Sequence, residues 1–318
     1  MRVLAMDIGG SSVKSGVAAA FDGGVAFEET MAPSRLASRE FGELRQVVLG
    51  IAEEAFRAGP RVDAVGISTT GTVDEDGTVR SAGHFNGYKR ISWKEILQPV
   101  TGPAVPVATL NDGRASAWAE YGRVRQSVSS FAHFVVGTGI GGGIVIDRKL
   151  LWGAQGAAAQ LGHIKVAETS TVTCSCRKAG CVETLASAPA IARAWREHGA
   201  VGDLREAGFE EIAALASRGD ERAARVITDA GRHLGYAVAN VISILNPQVI
   251  TIGGGVVAAT EHIGDGAGGG PYVEAAAGTA RELVFPRVAA QTQILPASYG
   301  NEGGLIGAAL FSASSPAG

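Results

Sequence analysis

The chain has 318 residues, 46% hydrophobic and 19% charged, a composition that excludes intrinsic disorder in a length sufficient for two domains with sizeable cores. Its formal net charge of −3 offers no general attraction to nucleic acid, so an anionic ligand would need local groups to hold it. No run approaches ~18–20 uninterrupted apolar residues, and the opening MRVLAMDIGG is too polar for a signal-peptide core. No membrane span is expected, and the chain reads as cytoplasmic.

In chain order, Val3 to Ile8 is a short apolar strand stopped by Gly9-Gly10-Ser11-Ser12, and Val13 to Ala18 reads as the returning strand of a hairpin. Such a tip offers backbone N–H groups and hydroxyls to phosphate oxygens, although an ordinary β-turn has the same sequence. Asp7 favours the first reading, because a carboxylate ending an apolar strand beside that loop is placed to hold Mg²⁺ through water. Phe41, Leu44, Val47, Val48, Ile51 and Ala55 have the spacing of an amphipathic helix over Phe41 to Arg57. Val62 to Ser68 is a strand. After a connecting region come Ile91 to Leu97, then a strand from Val105 to Leu110 closed by Asn111-Asp112-Gly113, then a helix from Arg114 to Tyr121. At that junction Asp112 is either an N-cap or a general base for a substrate hydroxyl, and frequency alone favours the cap.

Phe131 to Val136 is a strand into the glycine run Gly137 to Gly143, and Ile144 to Ile146 leads out again. Gly137, Gly139 and Gly142 fit G-x-G-x-x-G, but no helix follows, which excludes a dinucleotide-binding turn; a G-x₄-G-K-[ST] loop is also missing. Two strand–glycine–strand hairpins suggest an internally duplicated fold with ATP between its halves, Thr138 and Gly139 meeting phosphate in the second. All three cysteines, Cys174, Cys176 and Cys181, fall together as C-x-C-x₄-C, with His163 upstream. Three thiolates and one imidazole complete a tetrahedral shell for Zn²⁺ with no open position, which points to a structural metal. Buried free thiols, or one disulfide and an odd cysteine, are the alternatives. Helices are expected over Pro189 to His198, Phe209 to Ser217 and Glu221 to Leu245, the last stopped by Asn246-Pro247. Val249 to Ile252 is a strand into Gly253-Gly254-Gly255, Gly264 to Gly270 reads as a surface loop, and Gly303 to Phe311 as a small-residue helix.

The pieces Gln160-Leu-Gly-His163 and Cys174-Ser-Cys176-Arg-Lys-Ala-Gly180-Cys181-Val-Glu183 resemble the signature of the ROK family (repressors, open reading frames and sugar kinases). There a Glu-x-Gly-His element precedes C-x-C-G-x-x-G-C-x-E. Two departures stand out: Gln160 replaces the usual Glu, and Arg177 follows the second cysteine where Gly is common. Asn111-Asp112 is similar to the family's Asn-Asp motif, whose Asp is the kinase base, and this reverses the preference for a cap. The resemblance runs from Asp7 to about Ala309.

It implies an α/β fold of the actin-like, sugar kinase/Hsp70 (ribonuclease H-like) class, two-lobed, with a nucleotide cleft and a small zinc-binding loop. The implied domains are an N-terminal lobe over residues 1–115, joined by a C-terminal helix at 303–314, and a C-terminal lobe over 116–302 with the zinc loop at 163–183. It further implies phosphoryl transfer from Mg²⁺-ATP to a sugar hydroxyl, expected to be the 6-hydroxyl of a hexose, with glucose leading and N-acetylmannosamine, N-acetylglucosamine or another hexose as alternatives. Asp112 would be the base. Asn111, Asp112, Gln160, His163 and Glu183 would meet the sugar. Asp7, Gly9, Gly10, Ser11, Thr138 and Gly139 would serve Mg²⁺ and phosphate, with Gly254 and Gly255 beside the adenosine. His163, Cys174, Cys176 and Cys181 would hold zinc. A motif starting at residue 7 leaves no room before it for a helix-turn-helix domain, so an enzyme is expected rather than a DNA-binding repressor, with no nucleic-acid partner; a non-catalytic sugar-sensing protein of the family is the alternative. A homodimer or homotetramer is the family's usual state. An amide at Gln160 exchanges an acceptor for a donor and favours a sugar offering an acceptor there, such as an N-acetyl carbonyl.

Overall fold

The computed structural model describes every residue except 23, 58–59, 84, 169–170, 200–205, 265–267 and 315–318, so the surface loop read at Gly264–Gly270 lies partly outside the described residues. The chain divides into two compact units, Met1–Ser127 with Lys149–Ala159 and Glu302–Gly318, and Val128–Arg148 with Gln160–Asn301. The first unit opens with strands β1 (Arg2–Ile8), β2 (Ser12–Phe21) and β3 (Gly24–Arg35), then helix α1 (Phe41–Arg57). It continues through β4 (Ala64–Thr69), β5 (Thr72–Val73), β6 (Thr78–Ser81), β7 (Ile91–Ser92), α2 (Trp93–Thr101), β8 (Val107–Asn111) and α3 (Asp112–Val124). The second unit starts with β9 (Phe131–Val136) and β10 (Ile140–Ile146), after which β11 (Lys149–Leu150) belongs to the first. It resumes with α4 (Glu183–Ala186), α5 (Ala188–Ala194), α6 (Phe209–Ser217), α7 (Glu221–Leu245), β12 (Val249–Gly253), α8 (Gly255–Thr260), α9 (Gly270–Leu283), α10 (Pro286–Gln291) and β13 (Gln293–Pro296). Helix α11 (Gly303–Ser314) returns the chain to the first unit. The boundary drawn at residue 115 falls inside α3, all of which belongs to the first unit. No helix among the described residues is long and apolar enough to cross a membrane.

In the first unit one sheet has the order β3-β2-β1-β4-β8, with β1 antiparallel to β2 and parallel to β4. Alternation along β1 sends Leu4, Met6 and Ile8 into a core with Leu44, Val48 and Ile51 of α1. Val3 and Ala5 face the other way, against Leu305 and Ala309 of α11. Asp7 shares their parity, so the strand's only charged interior position is turned toward α11. Strand β4 is buried along its whole length, as expected of a parallel strand covered on both faces. Helix α11 lies close because the contacts lack side chains: a Cβ at Gly66 would overlap Ala308 O, and one at Gly307 would overlap Ala115 O.

In the second unit β10, β9, β12 and β13 are neighbours in that order, β10 antiparallel to β9 and the others parallel. The glycine run is not all loop. Strand β10 begins at Ile140 and takes in Gly141 to Gly143, because a Cβ at Gly142 would overlap His133 O and crowd Leu161. His133 beneath it is fully buried, with Nδ1 2.8 Å from Thr251 Oγ1, and burial pushes its pKa down to about 3, so the ring is neutral. Helix α7 is capped by the Asp220 carboxylate, which accepts from Arg222 N and Ala223 N, and ends at Asn246 in the left-handed conformation (φ 45°). It packs on α9 where Gly231 and Gly235 meet Tyr272, Ala276 and Thr279. The helix expected from Pro189 starts one residue earlier as α5 and passes into a π-helical turn at Trp195–Gly199. The short α4 before it was not anticipated; Tyr272 Oη donates to Ala186 O at its end, 2.7 Å.

Candidate functional site

The cysteine segment builds the predicted cluster. His163 ends a short 3₁₀ turn (Leu161–His163), and Cys174, Cys176 and Cys181 follow on a loop fastened by backbone bonds from Cys174 N to Lys178 O, Val166 N to Gly180 O and Val182 N to Ile164 O. One donor atom from each of the four residues lies within 4.8 Å of the others. Cys174 Sγ is 3.4 Å from His163 Nδ1, and Cys176 Sγ is 3.4 Å from Cys181 Sγ. A tetrahedral zinc shell has edges of about 3.5–3.8 Å, so donor types and spacing both fit. Burial pushes the Cys174 thiol up to about 11, and a divalent cation is the natural means of holding it as thiolate. Lys165 Nζ donates to Cys181 Sγ (2.9 Å) and Ala179 O (2.7 Å), a positive charge set against a cluster that would carry one net negative charge with zinc. Arg177 explains one departure from the family pattern: its φ is +64°, a conformation that favours glycine.

Glu183 does not stand apart as a lone ligand. Its Oε2 accepts from Ile140 N (3.0 Å) and its Oε1 from Ser175 Oγ (3.2 Å), joining the cysteine loop to the β9–β10 hairpin. Thr138 is exposed at the hairpin tip, and Gly137 N closes the turn on Gly139 O at 2.9 Å. Gln160 is exposed at the start of the His163 turn, its carbonyl accepting from His163 N. Because His163 turns Nδ1 to the cysteines, Nε2 is the nitrogen that faces elsewhere. Gly254 (φ +94°) abuts Val136, which accounts for the glycine by packing, whereas a Cβ at Gly255 would meet open space.

In the first unit, Gly9 N donates to Ser12 O (2.9 Å), closing the β1–β2 turn with Gly10 half-buried and Ser11 exposed. Asp7 Oδ1 accepts from Ser68 Oγ at 2.6 Å, and a Cβ at Gly304 would lie 2.7 Å from the same oxygen. Burial pushes the Asp7 carboxyl above its ordinary range, opposed by the Ser68 bond and by Lys14. Lys14 pairs with Asp7 across the hairpin and reaches Glu302 at 3.6 Å. Sequence reasoning missed Ser68, Lys14 and Glu302; only Lys14 had a signal, since pairing strands across Gly9–Ser11 sets it opposite Asp7.

Asn111, not Asp112, is the N-cap of α3: its Oδ1 accepts from Gly113 N (3.1 Å) and Arg114 N (3.4 Å). Its Nδ2 donates to Gly71 O (2.7 Å) and to Asp112 Oδ1 (2.8 Å), which also accepts from Gly113 N (2.8 Å). The cap role is taken, and Asp112 is an exposed, oriented carboxylate at a helix N-terminus. Arg114, 3% exposed, was also missed. It donates to Val73 O, Gly156 O and Ala158 O and stacks on Trp152, fixing the segment around Gly156 to the base of α3.

The ROK family profile matches residues 3–314. The N-acetylmannosamine kinase of Citrobacter koseri is 30% identical over 312 residues, 98% of each chain. The ROK family glucokinase of Streptomyces griseus, solved with glucose and AMPPNP, superposes with a TM-score of 0.78 at 26% identity, covering 99% of this chain and 100% of its own. A ROK family transcriptional regulator gives 0.81 at 28% identity, covering 98% of this chain and 78% of the regulator. The chain belongs to the ROK family and has its actin-like ATPase fold.

Proposed function

We propose that this protein is an ATP-dependent hexose kinase that transfers the γ-phosphoryl group to a sugar hydroxyl, expected to be the 6-hydroxyl. The observation that carries the reading is Asp112: an exposed carboxylate oriented by Asn111 Nδ2 and Gly113 N, with the capping duty assigned to its neighbour. Such a group accepts the hydroxyl proton as the bond to phosphorus forms, and positioning supplies most of the catalysis in this reaction. Asp7 would hold Mg²⁺ through water, and the cation would neutralise phosphate charge. Gly9, Gly10, Ser11, Thr138 and Gly139 would receive the phosphates, with Gly254 and Gly255 near the adenosine. Asn111, Gln160, His163 (through Nε2) and Glu183 would contact sugar hydroxyls, alongside Asp112. Zinc at His163, Cys174, Cys176 and Cys181 would fix the His163 ring without entering the chemistry.

Two sugars head the test. Glucose follows from the resemblance, and N-acetylmannosamine from the curated relatives and the amide at Gln160. The experiment is ADP release with Mg²⁺-ATP across hexoses and N-acetylhexosamines, with Asp112→Asn alongside. Turnover on one sugar, lowered on the order of 10³-fold or more in the variant, is the expected result. A wild type that binds sugar but releases no ADP would make the protein a non-catalytic sugar sensor instead.

A further inference from the structure

Among the described residues Arg114 is the one Lys or Arg that is buried, and burying a charge disfavours the fold unless the charge is matched. Its partners are all neutral. Nη1 donates to Val73 O at 3.0 Å, and Nη2 to Gly156 O at 2.7 Å and Ala158 O at 3.2 Å. The guanidinium carbon lies 4.6 Å from the centroid of the Trp152 ring, and Nε has no hydrogen-bond partner among the described residues. Asp74 is near enough to favour the charge but is paired with Arg80. An apolar side chain would fill the same place without that penalty, so the guanidinium is explained by what it holds. On one side is the segment from Trp152 to Ala159, wound by left-handed Gly153 (φ +73°), Gly156 (φ +63°) and Ala159 (φ +63°) and closed by Ala158 N to Trp152 O at 2.9 Å. An alanine in that conformation is strained and persists only where its surroundings fix it. On the other side is the first turn of α3, which begins at Asp112; Gly113, between the two, has no side chain with which to fix the turn. All of these residues belong to the first unit.

On the kinase reading, in which Asp112 is the base, we infer that Arg114 is a positioning residue for that base: it holds the first turn of α3 to the Trp152–Ala159 segment and so fixes where the Asp112 carboxylate stands. The bonds from Asn111 Nδ2 and Gly113 N orient the carboxylate within the helix end. Those of Arg114 fix the helix end itself, to the backbone after β5 and to the wound segment. A base must lie within hydrogen-bond reach of the proton it takes, and a small displacement is felt in the rate more than in binding. The planar guanidinium meets three carbonyls from two nitrogens and sets direction as well as distance, whereas a lysine would present its charge from a single atom.

The test measures kcat by ADP release on the sugar that supports turnover, and sugar and AMPPNP affinities by calorimetry, for the full chain and three variants. Arg114→Met should lower kcat on the order of 10–10²-fold while both affinities change by less than about threefold. Arg114→Lys should keep more of kcat than Arg114→Met, since its ammonium can still meet some of the carbonyls. Gly156→Ala should lower kcat with Arg114 intact: its Cβ would lie 3.0 Å from Asp74 at a φ that alanine disfavours, driving the Gly156 carbonyl from the guanidinium. Unchanged kcat in Arg114→Met would overturn the inference. So would sugar and nucleotide affinities that fall in step with kcat, the mark of a strut for the whole unit rather than a support for the base. If Arg114→Met does not fold, Arg114→Lys and Gly156→Ala are judged by the same two criteria. A wild type that binds both ligands and releases no ADP would remove the kinase reading and the inference with it; equal turnover by wild type and Arg114→Met would remove the positioning role alone.

Discussion

The two glycine hairpins use the same backbone device with different electrostatics. The β1–β2 hairpin carries its own charges, Asp7 at the end of one strand and Lys14 opposite it on the other. The β9–β10 hairpin has no charged residue at its tip and borrows Glu183 from the segment leaving the cysteine loop. Their glycines differ too. Gly9 serves a tight turn, whereas Gly142 is a strand residue beside which β9 leaves no room for a side chain. A strand–glycine–strand pattern therefore specifies a turn but not the charge beside it; the first hairpin carries that charge on its own strands, and the second receives it from the segment after the cysteine loop.

Within the two hairpins, the largest expected effect comes from removing the first one's carboxylate. Asp7→Asn should lower kcat on the order of 10²–10³-fold in steady-state assays. It should not lower the melting temperature. The folded protein raises the Asp7 pKa, so protonated Asp7 is favoured by folding and the ionised form costs stability above the ordinary carboxylate range. Asn removes that cost. A large fall in melting temperature would show that Asp7 holds the fold rather than a cation.

A smaller effect is a shift in pH dependence. Catalysis that needs ionised Asp7 fails as pH falls through its raised pKa. The Ser68 hydrogen bond lowers that pKa, so Ser68→Ala should move the acid limb of kcat/KM to higher pH while the alkaline limb stays. An unmoved acid limb would assign it to another group. The smallest effect belongs to the loop that supports the second hairpin. Arg177→Gly relieves a left-handed backbone and should stabilise the protein by about 1 kcal/mol in denaturant titrations. Loss of stability would mean that the Arg177 side chain matters more than its φ.

Much of this was legible in the sequence because the signals are local. Helices α1, α6 and α7 follow from apolar spacing, and Asn246-Pro247 stops α7 by a left-handed cap that asparagine tolerates. The cysteine cluster is legible for the same reason, its ligands being close in the chain. What the sequence did not disclose depends on strands meeting at a distance. Ser68 reaches Asp7 only through parallel pairing of β1 with β4, and Glu302 arrives from the far end of the chain. Asn111 and Asp112 show a finer limit: either side chain could cap α3, and a one-residue difference in where the helix begins decides which of them does. The start of β10 inside the glycine run was hidden because strand propensity cannot signal a glycine required by a neighbour's backbone.

The most direct test of the central claim is ³¹P NMR of the product formed from Mg²⁺-ATP and the sugar that supports turnover, wild type against Asp112→Asn. A new phosphate-ester resonance coupled to sugar methylene protons, with ADP in equal amount, is the predicted result for the wild type, and its loss with sugar binding kept is predicted for the variant. Sugar bound by both proteins with no ester from the wild type, or an ester formed equally fast by Asp112→Asn, would contradict the account.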